Sequence, residues 1–460
     1  MKHLEHTTSS ALLTTLSEVI RWRESLRELH ARLAGHFARP EPYARALRFV
    51  QGILSTVERK NGWHLAEQAR ETTPYGMQRL LSQATWDTDG VRDEIRAFVL
   101  EHLGTSDAII ALDETSFPKR GLHSAGVKKQ YCGSTGQVQN CQVGVFLSYV
   151  TAAGHSLIDR ELYLPQAWLD DPARCRHAGI SPLIPFRTKP ELAIGMLERL
   201  HQAHVPFCWV VADEVYGGHR ELRLWLEAHQ SPYVGAVPCD EPVVLLTASG
   251  VRRLEVRDVL ARLGETCHWQ RLAISEGTKG PRLFEWACVP VLQQGRDDGW
   301  HSLLIRRSIG PTPDLTYYLV FAPPHTSLLA KITAGGGSFR IEEDFENGKD
   351  LGLDHYEVRS LLGWYRHITL VMLALAFLVS SACAARQLAV SALPLGPQPP
   401  TALAPPDLCP LSVPEARHLL ARLLFPAPSS VKLVLAWSAW RRSHQQRASF
   451  FHTRRRLKAG

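Results

Sequence analysis

The chain has 460 residues, of which 45% are hydrophobic and 21% are charged. This composition is ordinary for a protein that buries a large core, and it excludes intrinsically disordered, collagen-like and disulfide-scaffold proteins. Lysine and arginine exceed aspartate and glutamate by 52 to 45, and the resulting net charge of +7 is too small to indicate a polyanionic partner by itself.

Residues 1–105 predict a helical DNA-binding domain. The apolar residues that recur there at helical spacing include Leu12, Leu13, Leu16 and Ile20. Two short helices joined by a tight turn are predicted over residues 64–84, with Thr73 as N-cap and Pro74 as first residue of the second helix. The pattern fits a helix-turn-helix that enters the major groove, and it fits a helical hairpin in a bundle equally well.

From residue 107 onwards, strands and helices alternate, which is typical of an α/β fold. Strands are predicted for DAIIALDET, NCQVGVFLSYV, FCWVVADE and YVGAVP, and amphipathic helices for KPELAIGMLERLHQA and HRELRLWLEAH. We expect an α/β core in two parts, residues 106–239 and 336–390, interrupted by a β-strand-rich insertion over 240–335.

The C-terminal third contains three further segments. Residues 368–385 form an apolar run near bilayer-spanning length, which we interpret as a helix buried in the protein. Residues 391–414 are rich in proline and predict an extended linker. Residues 415–460 predict a basic C-terminal arm, read as a phosphate-contacting segment or, alternatively, as a solvated tail. The arginines of this arm proposed to bind DNA are Arg441, Arg442, Arg454, Arg455 and Arg456.

Cysteine usage and the N-terminus predict a cytoplasmic protein. The nine cysteines form no CxxC pair, so a zinc site or a disulfide framework is not expected. The first residues contain no apolar segment behind a basic start, so no secretory signal is expected either.

Two aspartates stand where a functional site is expected in an α/β sheet. Asp113 and Asp213 each end a predicted buried strand, and ligands bind at the carboxyl ends of such strands. Two carboxylates that converge there repel each other unless a cation lies between them. Mg²⁺ is such a cation, because it accepts carboxylate and phosphate oxygens.

A third acid is found in the segment FRIEEDFENGK. If the segment is a helix, Ile341, Phe345 and Gly348 form its packed face. Glu342 then borders a cleft, and Lys349 lies two turns later on nearly the same side, where it can reach a phosphate. The remaining acids, Glu343, Asp344 and Glu346, are predicted to lie on a solvated face. Two metal ions held by three such acids stabilise the attacking and leaving oxygens of phosphoryl transfer.

Seven ordered motifs within residues 45–385 carry a family resemblance. They are ALDETSFPKRG, GVKKQYCGSTGQVQNCQVGVFLSY, LIDRELYLP, TKPELA, WVVADEVYG, IEEDFENGK and GLDHYEVRSLLGWYRHITL. With them the sequence resembles the DDE transposases of bacterial insertion sequences, specifically the insertion-sequence 701 type within the broader insertion-sequence 4 group. The resemblance implies an RNase H-like catalytic core in which Asp113, Asp213 and Glu342 are the catalytic and metal-binding residues. It also implies two Mg²⁺ ions, for which Mn²⁺ can substitute.

The resemblance further implies the partners and the location of the protein. Family members act on double-stranded DNA, at transposon ends and at target DNA. We therefore expect a homodimer on DNA, no membrane association, and a bacterial cytoplasmic protein that joins the nucleoid when bound to DNA. Basic residues near the proposed site that are expected to neutralise DNA phosphates are Lys119, Arg120, Lys128 and Lys129.

One signature of the broader group is incomplete. The pattern Y-(2)-R-(3)-E-(6)-K is matched by Glu342 and Lys349, whereas Gly335 and Ser338 occupy the tyrosine and arginine positions. The residues expected to replace the missing DNA contacts are Arg340, Tyr356 and Arg366. The hairpin-intermediate chemistry of the group is accordingly not assumed.

Three functions remain compatible with the sequence. The first is a cut-and-paste transposase that binds terminal inverted repeats, cleaves DNA at the transposon ends and joins the 3′ ends to target DNA. The second is a catalytically inactive, transposase-derived regulator that binds DNA. The third is a glycosidase with two catalytic carboxylates, which would need neither the basic arm nor the helical N-terminal domain. The preservation of all three acids favours the transposase.

Overall fold

The structure is a computed structural model that describes residues 15–247, 250–263, 267–277, 280–292, 298–310, 312–391, 410–426 and 431–459. For residues 247, 274–277, 280–281, 389–391, 448–450 and 452–459 it describes the backbone alone. The chain divides into two compact units. One unit comprises residues 1–98 and 347–460, and the other comprises residues 99–346.

The helices and strands are numbered in chain order. The helices are α1 (Leu16–Arg32), α2 (Pro40–Leu54), α3 (Gly62–Gln68), α4 (Tyr75–Ser82), α5 (Thr88–Leu103), α6 (Gln166–Leu169), α7 (Pro172–Ala178), α8 (Lys189–Gln202), α9 (Glu214–Gly217), α10 (Arg220–Ala228), α11 (Val259–Leu263), α12 (Leu328–Gly336), α13 (Phe339–Asp350), α14 (Leu361–Ser391), α15 (Val413–Leu423) and α16 (Val431–Ala459). The strands are β1 (Ile109–Pro118), β2 (Lys128–Cys132), β3 (Gln137–Val150), β4 (His155–Leu162), β5 (Trp209–Ala212), β6 (Tyr233–Val237), β7 (Pro242–Thr247), β8 (Gly250–Glu255), β9 (Gln270–Gly277), β10 (Gly280–Pro290), β11 (His301–Arg307) and β12 (Leu315–Phe321).

The helical unit is organised around α14. This helix is apolar on all sides and packs against α2, α4 and α15. It is long and apolar enough to cross a bilayer, the one such helix among the described residues, and 89% of its most apolar window is buried within the protein. The apolar run is therefore a buried helix, as predicted. The sequence-based boundaries grouped this run with the α/β core, whereas in the structure it groups with the N-terminal helices, whose apolar faces it covers.

Helix α1 does not bury the apolar residues predicted from the sequence. A capping box between Thr15 and Glu18 sets its start at Leu16. In that phase Leu16 and Ile20 are 59% and 39% exposed. The buried stripe is instead formed by Val19, Trp22, Leu26 and Leu29. Leu12 and Leu13 lie outside the described residues.

The α/β unit contains a sheet of ten strands. Their order is β2–β3–β1–β5–β6–β12–β11–β10–β9, with β4 paired to β3 as well. Strands β1, β5 and β6 are parallel to one another, and the remaining pairs of this sheet are antiparallel. The chain therefore has a mixed α/β fold with a large sheet.

The strand-rich segment predicted for residues 240–335 contains strands β7 to β12. Strands β7 and β8 form a separate two-stranded sheet. The other four extend the large sheet, because β12 pairs antiparallel with β6 from Phe321↔Tyr233 to Tyr317↔Val237. The segment thus contributes four strands to the large sheet and a separate hairpin.

The predicted proline-rich linker lies largely outside the described residues, because 392–409 are not described. Its last residues are helical. Ser412 caps α15 by accepting a hydrogen bond from the N–H of Glu415, and Pro414 lies in the first turn, where its missing N–H is tolerated. The basic arm that follows is composed of α15 and α16.

Candidate active site

Two aspartates lie side by side at the centre of the large sheet. The parallel strands β1 and β5 end their pairing at Leu112 and Ala212. The next residues along the two strands are Asp113 and Asp213. Because neighbouring strands are about 4.8 Å apart, this register brings the two aspartates to adjacent positions in the sheet. The structure thus brings these two predicted site residues together.

Strand β1 does not end at Asp113, contrary to the sequence-based expectation. It continues to Pro118, because its other edge pairs with β3 as far as Pro118↔Cys141. Only β5 ends at this level, and Asp213 directly begins the next helix. Asp113 is therefore held within a continuous strand, whereas Asp213 lies at a strand-to-helix junction.

Burial and a neighbouring carboxylate raise the pKa of both carboxyl groups. Burial raises the pKa of Asp113 to about 8, and the carboxylate of Asp213 adds to this increase. Burial raises the pKa of Asp213 to about 6, with a further contribution from Glu114. The backbone N–H of Glu114 opposes the increase at Asp113 by donating to its Oδ1 at 2.6 Å. Asp113 is half-buried and Asp213 stays accessible to solvent. Two adjacent carboxyl groups with raised pKa values are stabilised by a cation between them.

The side chain of Asp213 is fixed as the N-cap of α9. Its Oδ1 accepts hydrogen bonds from the N–H groups of Val215 at 3.0 Å and Tyr216 at 3.4 Å. Helix α9 lies directly against β6, and Gly217 permits this approach. A Cβ atom at Gly217 would lie 2.2 Å from the carbonyl oxygen of Ala236. The orientation of Asp213 is therefore determined by backbone packing.

A hydrogen-bonded network connects the two aspartate positions. The hydroxyl of Tyr216 donates to Oε2 of Glu114 at 2.8 Å, and the ammonium of Lys189 forms an ion pair with Oε1 of the same residue. Lys189 also lowers the pKa of Asp213. The network joins β1 to α8 and α9, so the elements that carry Asp113 and Asp213 are held together.

Sequence patterns by themselves reveal no role for Glu114, Lys189 or Tyr216. Signals for all three were present in the sequence, because Glu114 follows Asp113 and the other two lie in the motifs TKPELA and WVVADEVYG. What the sequence lacked was the pairing, since Lys189 is 75 residues and Tyr216 is 102 residues from Glu114.

Glu342 lies on the exposed side of α13. Ile341, Phe345 and Gly348 are buried, and Phe345 packs edge-to-face on Phe146 at 5.5 Å. Burial raises the pKa of Glu342, and Glu346 adds to the increase. Glu342 in turn raises the pKa of Asp113, as the weakest of the acids that do so. The third acid is thus close enough to be felt electrostatically at Asp113.

Asp344 occupies a position opposite to the predicted one. It was expected on a solvated face, but its side chain is fully buried. Its carboxylate accepts a hydrogen bond from the hydroxyl of Ser148 and binds Nδ1 of His155 at 2.9 Å. Nε2 of His155 lies 3.0 Å from Glu343, which also pairs with Arg340 at 2.9 Å. The prediction for Asp344 is wrong because polar partners on β3 and β4 satisfy the carboxylate inside the core.

The carboxylates have the chemistry of a divalent-cation site without forming a complete one. Among the described residues, no three His, Cys, Asp or Glu side chains converge closely enough to form a metal-binding cluster. The Asp113–Asp213 pair nevertheless fits a hard divalent cation, because both carboxyl groups supply oxygen ligands and both have raised pKa values.

The basic residues predicted near the site are distributed over one end of the sheet. Lys119 is half-buried next to Asn140, whose amide donates to its carbonyl oxygen at 2.7 Å. Arg120, Lys128 and Lys129 are exposed. Lys128 and Lys129 lie on the edge strand β2 and, as neighbours in a strand, point to opposite faces. At most one of these two lysines therefore faces any single ligand.

The departures from the family signature have a steric basis at Gly335. A Cβ atom there would lie 3.3 Å from a methyl group of Val234, which leaves little space for a tyrosine side chain. The hydroxyl of Ser338 donates to the carbonyl oxygen of Gly335 at 2.9 Å. Of the proposed replacements, Arg340 is exposed and paired with Glu343.

The other two proposed replacements are buried in the helical unit. Tyr356 is 4% exposed and Arg366 is 3% exposed. The guanidinium of Arg366 donates to the carbonyl oxygens of Leu81 and Ala84. Both side chains are therefore engaged in packing within the helical unit, and their contact with DNA stays a prediction. Lys349 lies in the last turn of α13 and is half-buried.

The basic arm packs through its first aromatic residues. Trp437 donates to the carbonyl oxygen of Glu71 at 3.0 Å, and Trp440 packs edge-to-face on Trp63 at 5.0 Å. Arg441 forms an ion pair with Glu67 at 2.5 Å. Arg442 is exposed, and the side chains of Arg454, Arg455 and Arg456 lie outside the described residues. The start of α16 therefore braces the helix pair α3–α4.

Comparisons with known proteins identify relatives of the chain. It is 28% identical over 166 residues to a probable transposase for insertion sequence element IS701 from Microchaete diplosiphon. This match covers 36% of the chain and 41% of the relative, so the chain spans less than half the length of this relative.

Two solved structures are similar to the chain at low identity. One is the cryo-EM structure of the piggyBac transposase synaptic complex with hairpin DNA, with a TM-score of 0.39, 13% identity, and coverage of 95% of this chain and 79% of the other. The second is the crystal structure of the NurA nuclease from Sulfolobus solfataricus, with a TM-score of 0.25, 11% identity, and coverage of 58% and 90%.

The family comparison covers more than half of the chain. The DDE superfamily endonucleases match residues 32–281, a range that contains Asp113 and Asp213 and ends before Glu342. The predicted resemblance to transposases of the insertion-sequence 701 type is confirmed by the curated relative. The chain belongs to the DDE superfamily of endonucleases.

Proposed function

We propose that the protein is a metal-dependent DNA transposase that binds terminal inverted repeats, cleaves DNA at transposon ends and joins the 3′ ends to target DNA. The observation that carries this proposal is the adjacency of Asp113 and Asp213 on two parallel strands. Burial raises the pKa of both, with Asp213 adding to the increase at Asp113 and Glu114 adding to the increase at Asp213. Side chains in this arrangement gain stability when a divalent cation binds, and that gain has no purpose in a protein that only binds DNA.

The proposed roles follow from the geometry of each side chain. Asp113 and Asp213 would hold the metal, with Asp213 pre-oriented by its N-cap hydrogen bonds. Glu342 would complete the triad from the exposed side of α13. The chemistry that two Mg²⁺ ions supply when bound, or Mn²⁺ in their place, is stabilisation of negative charge on the attacking and leaving oxygens. Lys189 adds a fixed positive charge beside Asp213.

We also propose that the sheet is an RNase H-like core. Three antiparallel strands, β4, β3 and β1, are followed by the parallel strands β5 and β6, and the two aspartates lie where the antiparallel and parallel parts meet. Strands β7 to β12 then separate the second aspartate from α13. This places the strand-rich segment between the second and third acids of the triad.

The partners we propose are double-stranded DNA and a second copy of the chain, in the cytoplasm. DNA contacts are assigned to accessible basic residues, since these neutralise phosphates without reading sequence. The accessible candidates near the acids are Arg120, Lys128 and Lys129. Further candidates are Lys119, Arg340, Lys349 and the arginines of the C-terminal arm.

The experiment is a cleavage assay with the full chain on duplex DNA that carries the terminal repeats of its own element. We expect nicks at the element ends with Mg²⁺ or Mn²⁺ and none with EDTA. Asp113→Ala, Asp213→Ala and Glu342→Ala should each reduce cleavage by more than the ~10–100-fold that loss of an outer-shell partner costs. Binding to the same DNA should persist.

The matched control is Glu198→Ala, because Glu198 is an exposed acid on α8 in the same unit. It should cleave at the wild-type rate. If any one of the three triad variants also cleaves at that rate, its residue is not part of the site. Tight DNA binding by the wild type without cleavage under any metal condition would instead support the inactive regulator.

A further inference from the structure

An arginine-lined groove lies on the helical unit. Two adjoining cavities, with volumes of about 410 and 610 Å³, share Arg45 and Arg79 in their walls. Arg48 lines the first cavity and Arg39 lines the second. Glu71 and Glu41 are the acids among the lining residues, so four guanidinium groups face two carboxylates. The groove, defined by these four arginines, therefore carries an excess of positive charge.

Two of the three arginines that line the first cavity are available to bind a ligand. Arg45 is paired with Glu71 at 2.9 Å and is about one-quarter exposed. Arg48 and Arg79 are exposed, and neither side chain forms an ion pair or hydrogen bond with another described residue. Arg48 follows Arg45 by three positions on α2, so the two side chains share one face of that helix. Arg79 faces them from α4.

The first turn of α4 adds donors to the same cavity. Thr72, Thr73 and Tyr75 line it, and no side chain among the described residues caps the helix. The sequence predicted Thr73 as N-cap, but the N-cap position is taken by Pro74, which leaves the threonine hydroxyl without that role. Uncapped N–H groups and the positive end of the helix dipole favour an anion here.

Gly76 and helix α16 fix the positions of residues that line the groove. A Cβ atom at Gly76 would lie 2.5 Å from Nε of Arg45 and 2.5 Å from Oε2 of Glu71, so a larger residue would displace this pair. Trp437 holds the carbonyl oxygen of Glu71, and Trp440 packs on Tyr75 at 6.4 Å. The loop that borders the groove is therefore positioned before any ligand arrives, which lowers the entropy cost of binding.

We propose that this groove is a clamp for the phosphodiester backbone of DNA, in which Arg48 and Arg79 contact phosphates and Arg45 is held in place by Glu71. The inference rests on the proposed function, because it requires DNA as the partner. Guanidinium groups suit phosphates through bidentate hydrogen bonds. Two adjoining hollows that share arginines fit successive phosphates of a chain better than a single phosphate ion.

The test is the salt dependence of DNA binding by the full chain, measured by fluorescence anisotropy with a labelled duplex of random sequence. Each lost phosphate contact lowers the slope of log K against log salt by about 1. The double variant Arg48→Ala/Arg79→Ala should therefore lower the slope by about 2 and weaken binding roughly tenfold at low salt. The matched control, Arg21→Ala on α1, removes an exposed arginine and should leave both quantities unchanged.

A second variant guards against an effect of folding. Arg48→Lys/Arg79→Lys keeps both charges but loses the guanidinium fork, so it should keep the salt slope and bind less tightly than wild type. Far-ultraviolet circular dichroism of both double variants should match wild type, because the two side chains have no partner in the described part of the chain.

Three outcomes would overturn the clamp or its foundation. A double alanine variant that binds like Arg21→Ala shows that the groove does not contact DNA, while the proposed function stands. Failure of the wild type itself to bind duplex DNA removes the proposed function. A rise in melting temperature with inorganic phosphate at matched ionic strength, lost in the double variant while the DNA slope is unchanged, would assign the groove to free phosphate.

Discussion

Two pairs of acids on the same sheet differ in how their charge is compensated. On β4, the fully buried Asp159 and the half-buried Glu161 both bind Arg199, at 2.9 and 2.8 Å. Burial opposes the charge on Arg199, but Asp159 outweighs it and raises the pKa of the guanidinium. The Asp113–Asp213 pair has no ion pair with any residue that the structure describes, and its pKa values are raised instead.

The comparison separates a structural cluster of acids from a functional one. Where an arginine is supplied by the fold, a buried carboxylate stays charged and ties two elements together. Where no cation of the fold forms an ion pair with them, the carboxylates remain destabilised in the absence of a ligand, and a bound divalent ion can recover that energy. Perturbed pKa values in adjacent acids therefore support the second cluster as the candidate site.

The largest expected effect on stability is at the compensated pair. Asp159→Asn removes the buried negative charge that pairs with Arg199, so the guanidinium group keeps only a neutral partner at that position. We therefore expect the free energy of unfolding to fall by about 3–5 kcal/mol. Urea denaturation measures this loss. Glu161→Gln, at the more exposed partner, should cost less. Equal stability of Asp159→Asn and wild type would mean that the Arg199 pairs are not a structural requirement.

Removal of an acid from the Asp113–Asp213 pair should raise the free energy of unfolding instead of lowering it. Asp113→Asn removes one of two repelling carboxylates, so the metal-free protein should gain on the order of 2 kcal/mol near neutral pH. Thermal unfolding with and without Mg²⁺ measures both sides of the effect. Mg²⁺ should raise the melting temperature of the wild type and leave that of the variant nearly unchanged. A loss of stability in the variant would contradict the comparison.

A third prediction concerns His155, which pairs with Glu343 and Asp344 of α13. Burial lowers the pKa of His155, but Asp344 and Glu343 outweigh it and raise the value to about 9, while Arg340 binds the outer side of Glu343. A folded-state pKa above the unfolded value of about 6.5 stabilises the protein fully below pH 6.5. This stabilisation is lost as the pH rises towards 9.

The measurement is the free energy of unfolding of the wild type and of His155→Gln across this pH range. The difference between them should be on the order of 1–2 kcal/mol at pH 6 and should shrink as the pH approaches 9. A difference that is constant with pH would show that His155 does not carry a charge in the folded protein.

The smallest effect is expected at Glu343. It is nearly half-exposed, and its pairs with His155 and Arg340 connect β4 to the outer side of α13. Glu343→Ala should therefore reduce cleavage by ~10-fold at most, the lower limit for loss of an outer-shell partner. Glu342→Ala, in contrast, should abolish cleavage. A stronger effect of Glu343→Ala in the same cleavage assay would place the third acid one position later in the helix.

Sequence patterns alone identified much of the fold and part of the site. The alternation of apolar runs located β1, β3, β5, β6 and helix α8, because a buried face imposes a period on the residues that form it. The motifs around Asp113 and Asp213 were sufficient to place both acids at one level of the sheet. The apolar composition of α14 was sufficient to predict its burial.

What only the tertiary structure decided is which polar groups are compensated and by which partners. Asp159 finds Arg199 after 40 residues, Glu114 finds Lys189 after 75, and Asp344 finds Ser148 after 196. Local periodicity treats Asp344 as a surface acid, because it registers the polarity of a residue and not the partner across the core. A carboxylate's role depends on the charge that the fold brings next to it, and that neighbour is set by packing between segments distant in sequence.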